Sequence, residues 1–345
     1  MSTTGLLLDI AIIVLASLAI WLGSGWLEGA SDRLATHYGL PQVVQGAVIA
    51  AVGSSMPELA TVVIAGLAGS LALGVGGIVG SAIFNVLVIP ALAGLLTDEP
   101  VESNRTLVYK EAQFYMLAVS VLLITFALGV IYYPVDGAPL DGTITRPLAL
   151  LPLALYGLYV FIQYQDTADH RASTVPPAAD NGIEPGRQWG LLAAGLLVIV
   201  VAVHFLVESV SALGETFGVP AFLLGVTIIA GATSLPDALV SVRAAREDRG
   251  VTSLANVLGS NTFDLLVAIP VGVLIVGAET VDFAMAVPMF GVLTAATIAL
   301  FTALRTDLWL SDREALALLA IYGAFVAWVI LETIGVAVDL LPNAG

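Results

Sequence analysis

The sequence predicts an all-α polytopic membrane protein, with ten transmembrane helices arranged as two inverted five-helix repeats. Of the 345 residues, 59% are hydrophobic and only 11% are charged, whereas an ordinary soluble domain is about 25% charged. Apolar runs of about 20 residues recur along the whole chain, and each is long enough to cross roughly 30 Å of hydrocarbon. These runs are continuous rather than alternating, which excludes a transmembrane β-barrel.

The predicted spans follow one another with polar connections between them. Their limits are 5–25, 41–67, 71–96, 108–132, 147–164, 189–212, 220–244, 251–277, 281–303 and 315–338. The first span has neither a basic segment before it nor a small-residue cleavage site, so we expect a retained helix rather than a signal peptide. The longest connection, 165–188, contains Pro176 and Pro177, and its polar composition predicts a flexible linker.

The distribution of basic residues predicts the orientation in the membrane. With ten spans, the connections after the odd-numbered spans share one side, and they carry all but one of the eleven basic residues: Arg33, Arg105, Lys110, Arg171, Arg187, Arg243, Arg246, Arg249, Arg305 and Arg313. Only Arg146 falls on the other side. Because cytoplasmic connections are enriched in Lys and Arg, we expect a protein of the cell membrane with both termini outside and the linker 165–188 in the cytoplasm.

Composition also excludes several classes of function. The absence of cysteine excludes disulfides, thiolate catalysis and cysteine-bound metals. A net charge of −16 argues against a nucleic-acid partner, and this acidic composition suits a salt-rich host cytoplasm, where salt screens the repulsion. The lipid bilayer is the partner that the sequence requires, and no obligate protein partner is evident from it.

An internal repeat relates the two halves of the chain. When the sequence is shifted by 179 residues, fourteen of the fifty ungapped positions from Gly39 to Val88 are identical. The predicted units are residues 1–164, with a motif at 41–96, the linker 165–188, and residues 189–345, with a motif at 220–277. Because five spans is an odd number, the second half enters the membrane from the opposite side. Inverted repeats of this kind are typical of secondary transporters, whose binding sites lie near the midplane.

Two mid-span segments at equivalent positions interrupt the apolar pattern with an acid. Residues 53–58 read GSSMPE and residues 232–237 read ATSLPD. A carboxylate in mid-membrane costs at least about 2.5 kcal/mol, so the pairing of Glu58 with Asp237 predicts a functional site. Because proline removes a backbone donor, we expect carbonyl groups within 51–54 and 230–233 to lose their helical partners. Together with the neighbouring hydroxyls they would offer hard oxygen ligands, which suit Ca²⁺ and Na⁺.

The next spans carry a second matched pair of polar residues. Ser81 and Asn85 lie four residues apart on one helix face, as do Ser260 and Asp264. Structural explanations exist for each feature alone, since an isolated proline is most often a kink and a Ser or Thr in a helix often bonds its own backbone. The duplicated acids favour a binding site over these alternatives.

At these residues the chain resembles the cation/Ca²⁺ exchanger superfamily, in particular the Na⁺/Ca²⁺ exchangers. The resemblance is carried by GSSMPELATVVIAG and GGIVGSAIFNVLVIP in the first half, and by GATSLPDALVSVRAA and ANVLGSNTFDLLVAIP in the second. It implies a secondary antiporter, not an enzyme, that exchanges several Na⁺ ions for one Ca²⁺ by alternating access and is therefore electrogenic. By family analogy, spans 1 and 6 would slide against the other eight.

The resemblance also implies a role for each motif residue. Glu58 and Asp237 would bind Ca²⁺ and Na⁺ in alternation, and Asn85 and Asp264 would complete the centre of the site. The remaining oxygens would come from the hydroxyl or carbonyl groups of Ser54, Ser55, Thr233 and Ser234, from the main chain of Ala51 and Ala230, and from Ser81 and Ser260 at the outer and inner Na⁺ positions. No cofactor is expected, because Ca²⁺ and Na⁺ are the cargo.

Departures from the family pattern leave alternatives open. Prokaryotic members usually have glutamate in both halves, whereas Asp237 is shorter by one methylene. Asp237 with Asp264 resembles the K⁺-dependent animal branch, so K⁺ coupling stays open. A Ca²⁺/H⁺ exchanger on the same fold is the main alternative function, because carboxylates can carry protons. An aspartyl intramembrane protease would leave the mirrored Ser, Pro and Asn positions without a role. A passive channel is the third alternative, and a flux insensitive to a Na⁺ gradient would indicate it.

Overall fold

A computed structural model describes residues 3–37, 51–97, 100–105, 107–171 and 184–333. The α-helices are α1 (Thr3–His37), α2 (Ala51–Ser54), α3 (Met56–Leu67), α4 (Leu71–Leu95), α5 (Ala112–Tyr132), α6 (Arg146–Arg171), α7 (Pro185–Phe217), α8 (Ala221–Leu224), α9 (Ala230–Thr233), α10 (Leu235–Arg246), α11 (Gly250–Phe263), α12 (Ile269–Val276), α13 (Phe283–Asp307) and α14 (Asp312–Thr333). The strands are β1 (Val101–Glu102), β2 (Pro134–Val135), β3 (Ala138–Thr145), β4 (Ala278–Asp282) and β5 (Trp309–Leu310). Residues 41–50 of the second predicted span, 172–183 of the predicted linker and 334–338 of the tenth span lie outside the described residues.

The described helices occur in the order of the ten predicted spans. Eight helices in the described ranges are long and apolar enough to cross a membrane, and a ninth span consists of Ala221–Thr233 and Leu235–Arg246, which are bent by 45° relative to each other. The described part of the second span consists of α2 and the short apolar helix Met56–Leu67. The all-helical, polytopic architecture predicted from the sequence is therefore confirmed.

In the described ranges, three segments of π-helix interrupt the spans and were not predicted. They are Leu107–Glu111 before α5, Gly225–Ile229 between α8 and α9, and Asp264–Ala268 between α11 and α12. A π-helical turn inserts an extra residue and re-aims the side chains that follow it, and such turns are frequent at functional sites. The third segment begins at Asp264, one of the predicted site residues.

Among the residues that the structure describes, two small antiparallel sheets join the repeats. At one end, β1 pairs with β5, with Val101 opposite Leu310. At the other end, β3 pairs with both β2 and β4, with Gly142 opposite Val281. By position within its repeat β1 corresponds to β4, and β3 corresponds to β5. The pair β1–β5 and the pair β3–β4 are therefore equivalent, with the roles of the two repeats exchanged, as inverted symmetry requires.

The centre of the bundle is formed by the two spans that carry the Gly-Ser steps. Their most apolar stretches are 83% buried in Leu71–Leu95 and 72% buried in Gly250–Val276, against 11% in α1. A β-carbon at Gly76 would overlap the carbonyl of Phe222, and one at Gly80 would overlap that of Val226. Small residues thus allow α4 to pack backbone to backbone against the second repeat.

The long helices α1 and α7 form a separate layer beside this centre. They share a hydrophobic cluster distinct from that of the main bundle, completed by side chains of α3, α4 and the span containing α9. A β-carbon at Gly23 would lie 2.9 Å from the Gly195 oxygen, and one at Gly195 would lie 2.6 Å from the Gly23 oxygen. The two backbones therefore cross in direct contact, and helices predicted to move together are packed as a pair.

Most basic residues outside the predicted linker lie at the end of the bundle that contains β1 and β5. Arg246 donates a hydrogen bond to the carbonyl of Leu96 at this end. Arg146 lies at the opposite end, beside β3, and donates to the carbonyl of Leu274. We call the end with β1 and β5 the arginine-rich end. Its assignment to the cytoplasm stays a prediction.

Both helices that flank the predicted linker are longer than expected. The helix α6 continues to Arg171, and α7 begins at Pro185. Part of the segment predicted to be flexible is therefore helical. Proline is compatible with this because a helix tolerates it in the first turn, where its missing N–H has no helical partner to lose.

Candidate functional site

Two spans are broken, one at Ser55 and one at Ser234, and after each break a new helix begins with an acid in its first turn. The helix α3 follows Ser55 and α10 follows Ser234, with proline at the second position of both. Glu58 and Asp237 occupy the third position and are 1% and 0% exposed. The N-terminal end of a helix carries a partial positive charge, which stabilises a nearby carboxylate by about 0.3–1 kcal/mol at exposed sites and more where water is excluded.

The hydroxyl groups at the breaks serve different purposes. The Ser-x-x-acid spacing is that of a capping box, yet neither Ser55 nor Ser234 makes a side-chain capping bond. Instead, the Oγ of Ser234 lies 2.7 Å from the Oγ of Ser81 in the opposite repeat. The hydroxyl of Thr233 donates to the carbonyl of Ile229 at 3.1 Å, the structural role common for threonine in a helix.

The serine of each Gly-Ser step links the two repeats. Ser81 donates to Oε1 of Glu58 at 3.3 Å and also contacts the hydroxyl of the opposite break. Ser260 donates to Oδ1 of Asp237 at 3.2 Å, and its Oγ lies 2.9 Å from that of Ser54. Each serine therefore bonds the acid of its own repeat and a hydroxyl of the other, which brings both breaks to one buried place.

Two asparagines complete the hydrogen-bonded cluster. The Nδ2 of Asn85 lies 2.9 Å from Oδ2 of Asp237 and 3.0 Å from Oδ1 of Asn261. Asn261 in turn donates to the carbonyl of Ala82 and to the hydroxyl of Tyr115, both at 3.1 Å. The sequence did not predict Asn261 or Tyr115 as site residues, because Asn261 aligns with Ala82 in the repeat and so has no mirrored partner.

Several buried oxygens of this cluster have no hydrogen-bond partner among the described residues. They are Oε2 of Glu58, Oδ1 of Asn85, Oγ of Ser55 and both carboxylate oxygens of Asp264. Ser55 and Asp264 are neighbours, although their oxygens do not meet hydrogen-bond geometry. Leaving a buried acceptor unpaired costs about 1–3 kcal/mol, and more for a charged group. Cations would satisfy these oxygens, since a carboxylate can only accept.

The carbonyl groups at the second break are not all freed from helical hydrogen bonds. The oxygen of Ala230 accepts a hydrogen bond from the amide of Ser234 at 3.0 Å, so it keeps a helical partner. The oxygen deprived of a donor by Pro236 is that of Ala232, four residues earlier. Ala230 can therefore offer only its second lone pair to a ligand. In the first repeat, Ala51 is the first residue of α2.

The acids do not form a compact cage. Across the ranges that the structure describes, no group of three or more His, Asp or Glu side chains is placed to hold a metal ion. Serine and asparagine side chains bond the acids and separate them. A cation here would be held by a mixed set of carboxylate, hydroxyl and amide oxygens, and such hard ligands favour Ca²⁺ and Na⁺ over zinc.

A further acid, Glu28 on α1, lies beside this cluster and was not predicted. Its helix contacts α10, which carries Asp237, and its Oε1 is buried without a partner among the described residues. The sequence signal was present, since Glu28 directly follows Trp26 and Leu27. It was missed because the first span was expected to end at residue 25, whereas α1 continues to His37.

The family follows from a comparison with known proteins. The family model described as sodium/calcium exchanger protein matches residues 8–165 and 187–331, which lie in the two repeats. The chain belongs to the sodium/calcium exchanger family. It is therefore a cation exchanger of the membrane and not an enzyme, and the predicted resemblance is confirmed.

Relatives of this exchanger extend over most of the chain. The membrane protein MJ0091 of Methanocaldococcus jannaschii is 27% identical over 289 residues, covering 82% of this chain and 88% of its own. The sodium/calcium exchanger MaX1 of Methanosarcina acetivorans is 25% identical, covering 72% and 78%. A structure of the sodium-calcium exchanger NCX_Mj, soaked with Na⁺ and Sr²⁺, is 21% identical and superimposes with a TM-score of 0.62 over 93% of this chain and 99% of that one. That likeness confirms the exchanger fold.

Proposed function

We propose that this exchanger moves Na⁺ and Ca²⁺ in opposite directions by alternating access. The observation that carries the proposal is the mirrored set of buried oxygens at the two breaks, several of which have no donor within the described part of the chain. An all-oxygen set with no cysteine or histidine suits hard cations. The name of the relative MaX1, a sodium/calcium exchanger, agrees with this choice of ions.

The ligands that we assign are those of the buried cluster and its backbone. The carboxylates of Glu58, Asp237 and Asp264 provide the charge, and Asn85 provides an amide oxygen. The other oxygens come from Ser54, Ser55, Thr233, Ser234, Ser81 and Ser260 and from the main chain of Ala51 and Ala230. The hydrogen bonds that join the serines and asparagines would break as ions enter, because an oxygen that binds a cation is less able to accept a hydrogen bond.

Competition for one set of acids is the basis of coupling. Three carboxylates in a dry place repel one another when they are charged and unoccupied. One Ca²⁺ or several Na⁺ ions would remove that repulsion, and each excludes the other because they need the same oxygens. A protein that crosses between its open states only when filled would therefore couple the two fluxes.

We assign the movement to the layer formed by α1 and α7. Its hydrophobic cluster is separate from that of the main bundle, so a shift of the layer would change its contacts with α3, α4 and α9 and leave the main cluster packed. Movement of several Na⁺ against one Ca²⁺ would transfer net charge, which makes exchange sensitive to voltage by about 2.3 kcal/mol per charge per 100 mV.

Uptake of ⁴⁵Ca²⁺ into Na⁺-loaded proteoliposomes tests the proposal. Wild-type protein should accumulate Ca²⁺ only when Na⁺ is higher inside than outside. Glu58→Gln and Asp237→Asn should each lower the uptake rate by roughly tenfold to hundredfold, because a charged hydrogen-bonding group is worth about 1.5–3 kcal/mol. Exposed acids provide matched controls, and Glu102→Gln and Asp307→Asn should transport at the wild-type rate.

Two outcomes would contradict the proposal in different ways. Normal uptake by both site variants would remove the ligand assignment while leaving the exchange activity in place. Uptake driven by a pH gradient in the absence of Na⁺ would replace Na⁺/Ca²⁺ exchange with Ca²⁺/H⁺ exchange on the same fold.

A further inference from the structure

Two polar side chains on α1 point to an ion site that the mirrored motifs do not contain. Ser24 is 0% exposed, and Glu28 lies one helical turn further along the same face. Within the described ranges, neither the Oγ of Ser24 nor the Oε1 of Glu28 has a hydrogen-bond partner, although both atoms are buried. Unpaired polar atoms of this kind in a lipid-embedded helix require an explanation, since such groups are normally satisfied.

Glu28 lies on the part of α1 that packs against the broken spans. A β-carbon at Gly53 would lie 3.7 Å from Cγ and 3.9 Å from Cα of Glu28, so α1 packs here directly on α2, next to Ser54. The same helix contacts α9 and α10. Asp237, the acid of the second break, lies in the first turn of α10. Glu28 therefore adds a fourth carboxylate beside the three of the motifs.

We propose that Ser24 and Glu28 form, with Asp237, a second site that binds a monovalent alkali cation beside the central cluster. One unshared carboxylate, one hydroxyl and one shared carboxylate supply too few oxygens for Ca²⁺, which takes six to eight. A single positive charge held between Glu28 and Asp237 would offset the repulsion between these two carboxylates. The inference deepens the proposed function in that it shares Asp237 with the central site.

The second site also gives α1 a reason to respond to ion binding. The helix α1 belongs to the layer that packs apart from the main bundle, yet the side chain of Glu28 contacts the first broken span at Gly53. A cation held between Glu28 and Asp237 would tie the layer to α10, and its departure would release that tie. Occupancy would therefore bias the position of the layer.

Thermal melting of the purified full-length protein in lipid nanodiscs tests this site without relying on transport. A ligand that binds the folded state raises the melting temperature by an amount that grows with the logarithm of 1 + [L]/Kd. Melting is followed during titration with NaCl, KCl or CaCl₂, with choline chloride holding the ionic strength constant. Glu28→Gln should raise the Na⁺ or K⁺ concentration needed for a given rise in melting temperature by roughly tenfold. Ser24→Ala should raise it by roughly threefold, and the Ca²⁺ titration should change less in both variants.

The control is Glu208→Gln, which removes an exposed acid from α7, the helix that packs along α1. Its titrations should match those of the wild type. The proposal is overturned if Glu28→Gln and Ser24→Ala both match this control, or if wild-type melting responds to neither monovalent ion. Equal weakening of Ca²⁺ and Na⁺ binding by Glu28→Gln would also overturn it, because Glu28 would then belong to the central site. Loss of Na⁺-driven Ca²⁺ uptake by the wild type would contradict the proposed function alone.

Discussion

The side-chain amide of Asn85 donates a hydrogen bond to Oδ2 of Asp237 at 2.9 Å, although the two residues belong to opposite repeats and are 152 positions apart. The same nitrogen lies 3.0 Å from Oδ1 of Asn261. One amide thus holds an acid and a second amide in place across the pseudo-symmetry axis. Because all three residues are buried, replacement of this donor should affect both folding and ion binding.

We expect Asn85→Leu to lose transport and to melt at a lower temperature than the wild type. Leucine has a similar volume, but it leaves two buried acceptors unpaired, each costing about 1–3 kcal/mol. Asn85→Asp should also melt lower in ion-free buffer, since it places a second carboxylate against Asp237. Added Ca²⁺ should restore the melting temperature of Asn85→Asp alone, because only this variant retains an oxygen ligand. Recovery of both variants, or of neither, would contradict a ligand role for position 85.

Close packing at Gly80 provides a second prediction. A β-carbon there would overlap the carbonyl of Val226, so Gly80→Ala should force α4 away from the second repeat and destabilise the protein by about 1–3 kcal/mol. Gly291→Ala on α13 is the matched control, because the structure places nothing within 4 Å of its β-carbon. Melting in detergent should separate the two variants. Equal melting temperatures would show that the repeats do not meet at Gly80.

The mirrored part of the site could be predicted from sequence, whereas its asymmetric part could not. Glu58 and Asp237 were detectable because an acid in an apolar run is costly and because the repeat duplicates it. The same logic found Ser81 and Ser260, which the fold brings to both breaks. Asn261 has no counterpart in the first repeat, so its role depends on a contact that only the folded chain contains.

Features set by tertiary packing were also beyond the sequence. The π-helical turn at Asp264–Ala268 could not be recognised from its residues, because the apolar residues that follow Asp264 would fit an α-helix equally well. The sheets that join the repeats involve strands as short as Val101–Glu102, which carry too few residues for a periodic pattern. The end of α1 was also beyond prediction. The helix continues past Glu28 to His37, and this extension is set by packing against neighbouring helices rather than by hydropathy.

The pairing of β3 with β4 places two acids directly opposite each other, which gives a pH-dependent prediction. Asp141 faces Asp282 across the sheet. Loss of water contact, and secondly the charge of Asp282, raise the pKa of Asp141 above its ordinary value. The folded state thus disfavours the charged form of Asp141. Its relative stability is greatest below the pKa of the unfolded chain and falls as pH rises through the higher folded pKa.

We therefore expect Asp141→Asn to raise the melting temperature at pH 7 and low salt. The gain should shrink as the pH is lowered toward 4, where Asp141 itself becomes protonated, and it should shrink in high salt, which screens the repulsion. Asp136→Asn, in the turn that precedes β3, should show neither trend because no acid faces it across a strand. A gain that is constant with pH would indicate that charge repulsion is not its cause.

The orientation of the bundle gives the last prediction, and the absence of cysteine makes it simple to test. A single introduced cysteine is the only thiol of the chain, so a membrane-impermeant maleimide reports one position without background. Asp136 is exposed at the end that contains β3, and Asp307 is exposed beside β5 at the arginine-rich end.

Because Lys and Arg are retained on the cytoplasmic side, Asp136→Cys should be labelled in intact cells, whereas Asp307→Cys should be labelled only after the membrane is permeabilised. Both positions lie outside the buried cluster, so transport by each variant confirms that the labelled protein is folded. The reverse labelling pattern would place the arginine-rich end outside and invert the predicted topology. Labelling of both positions in intact cells would contradict their placement at opposite ends of the bundle.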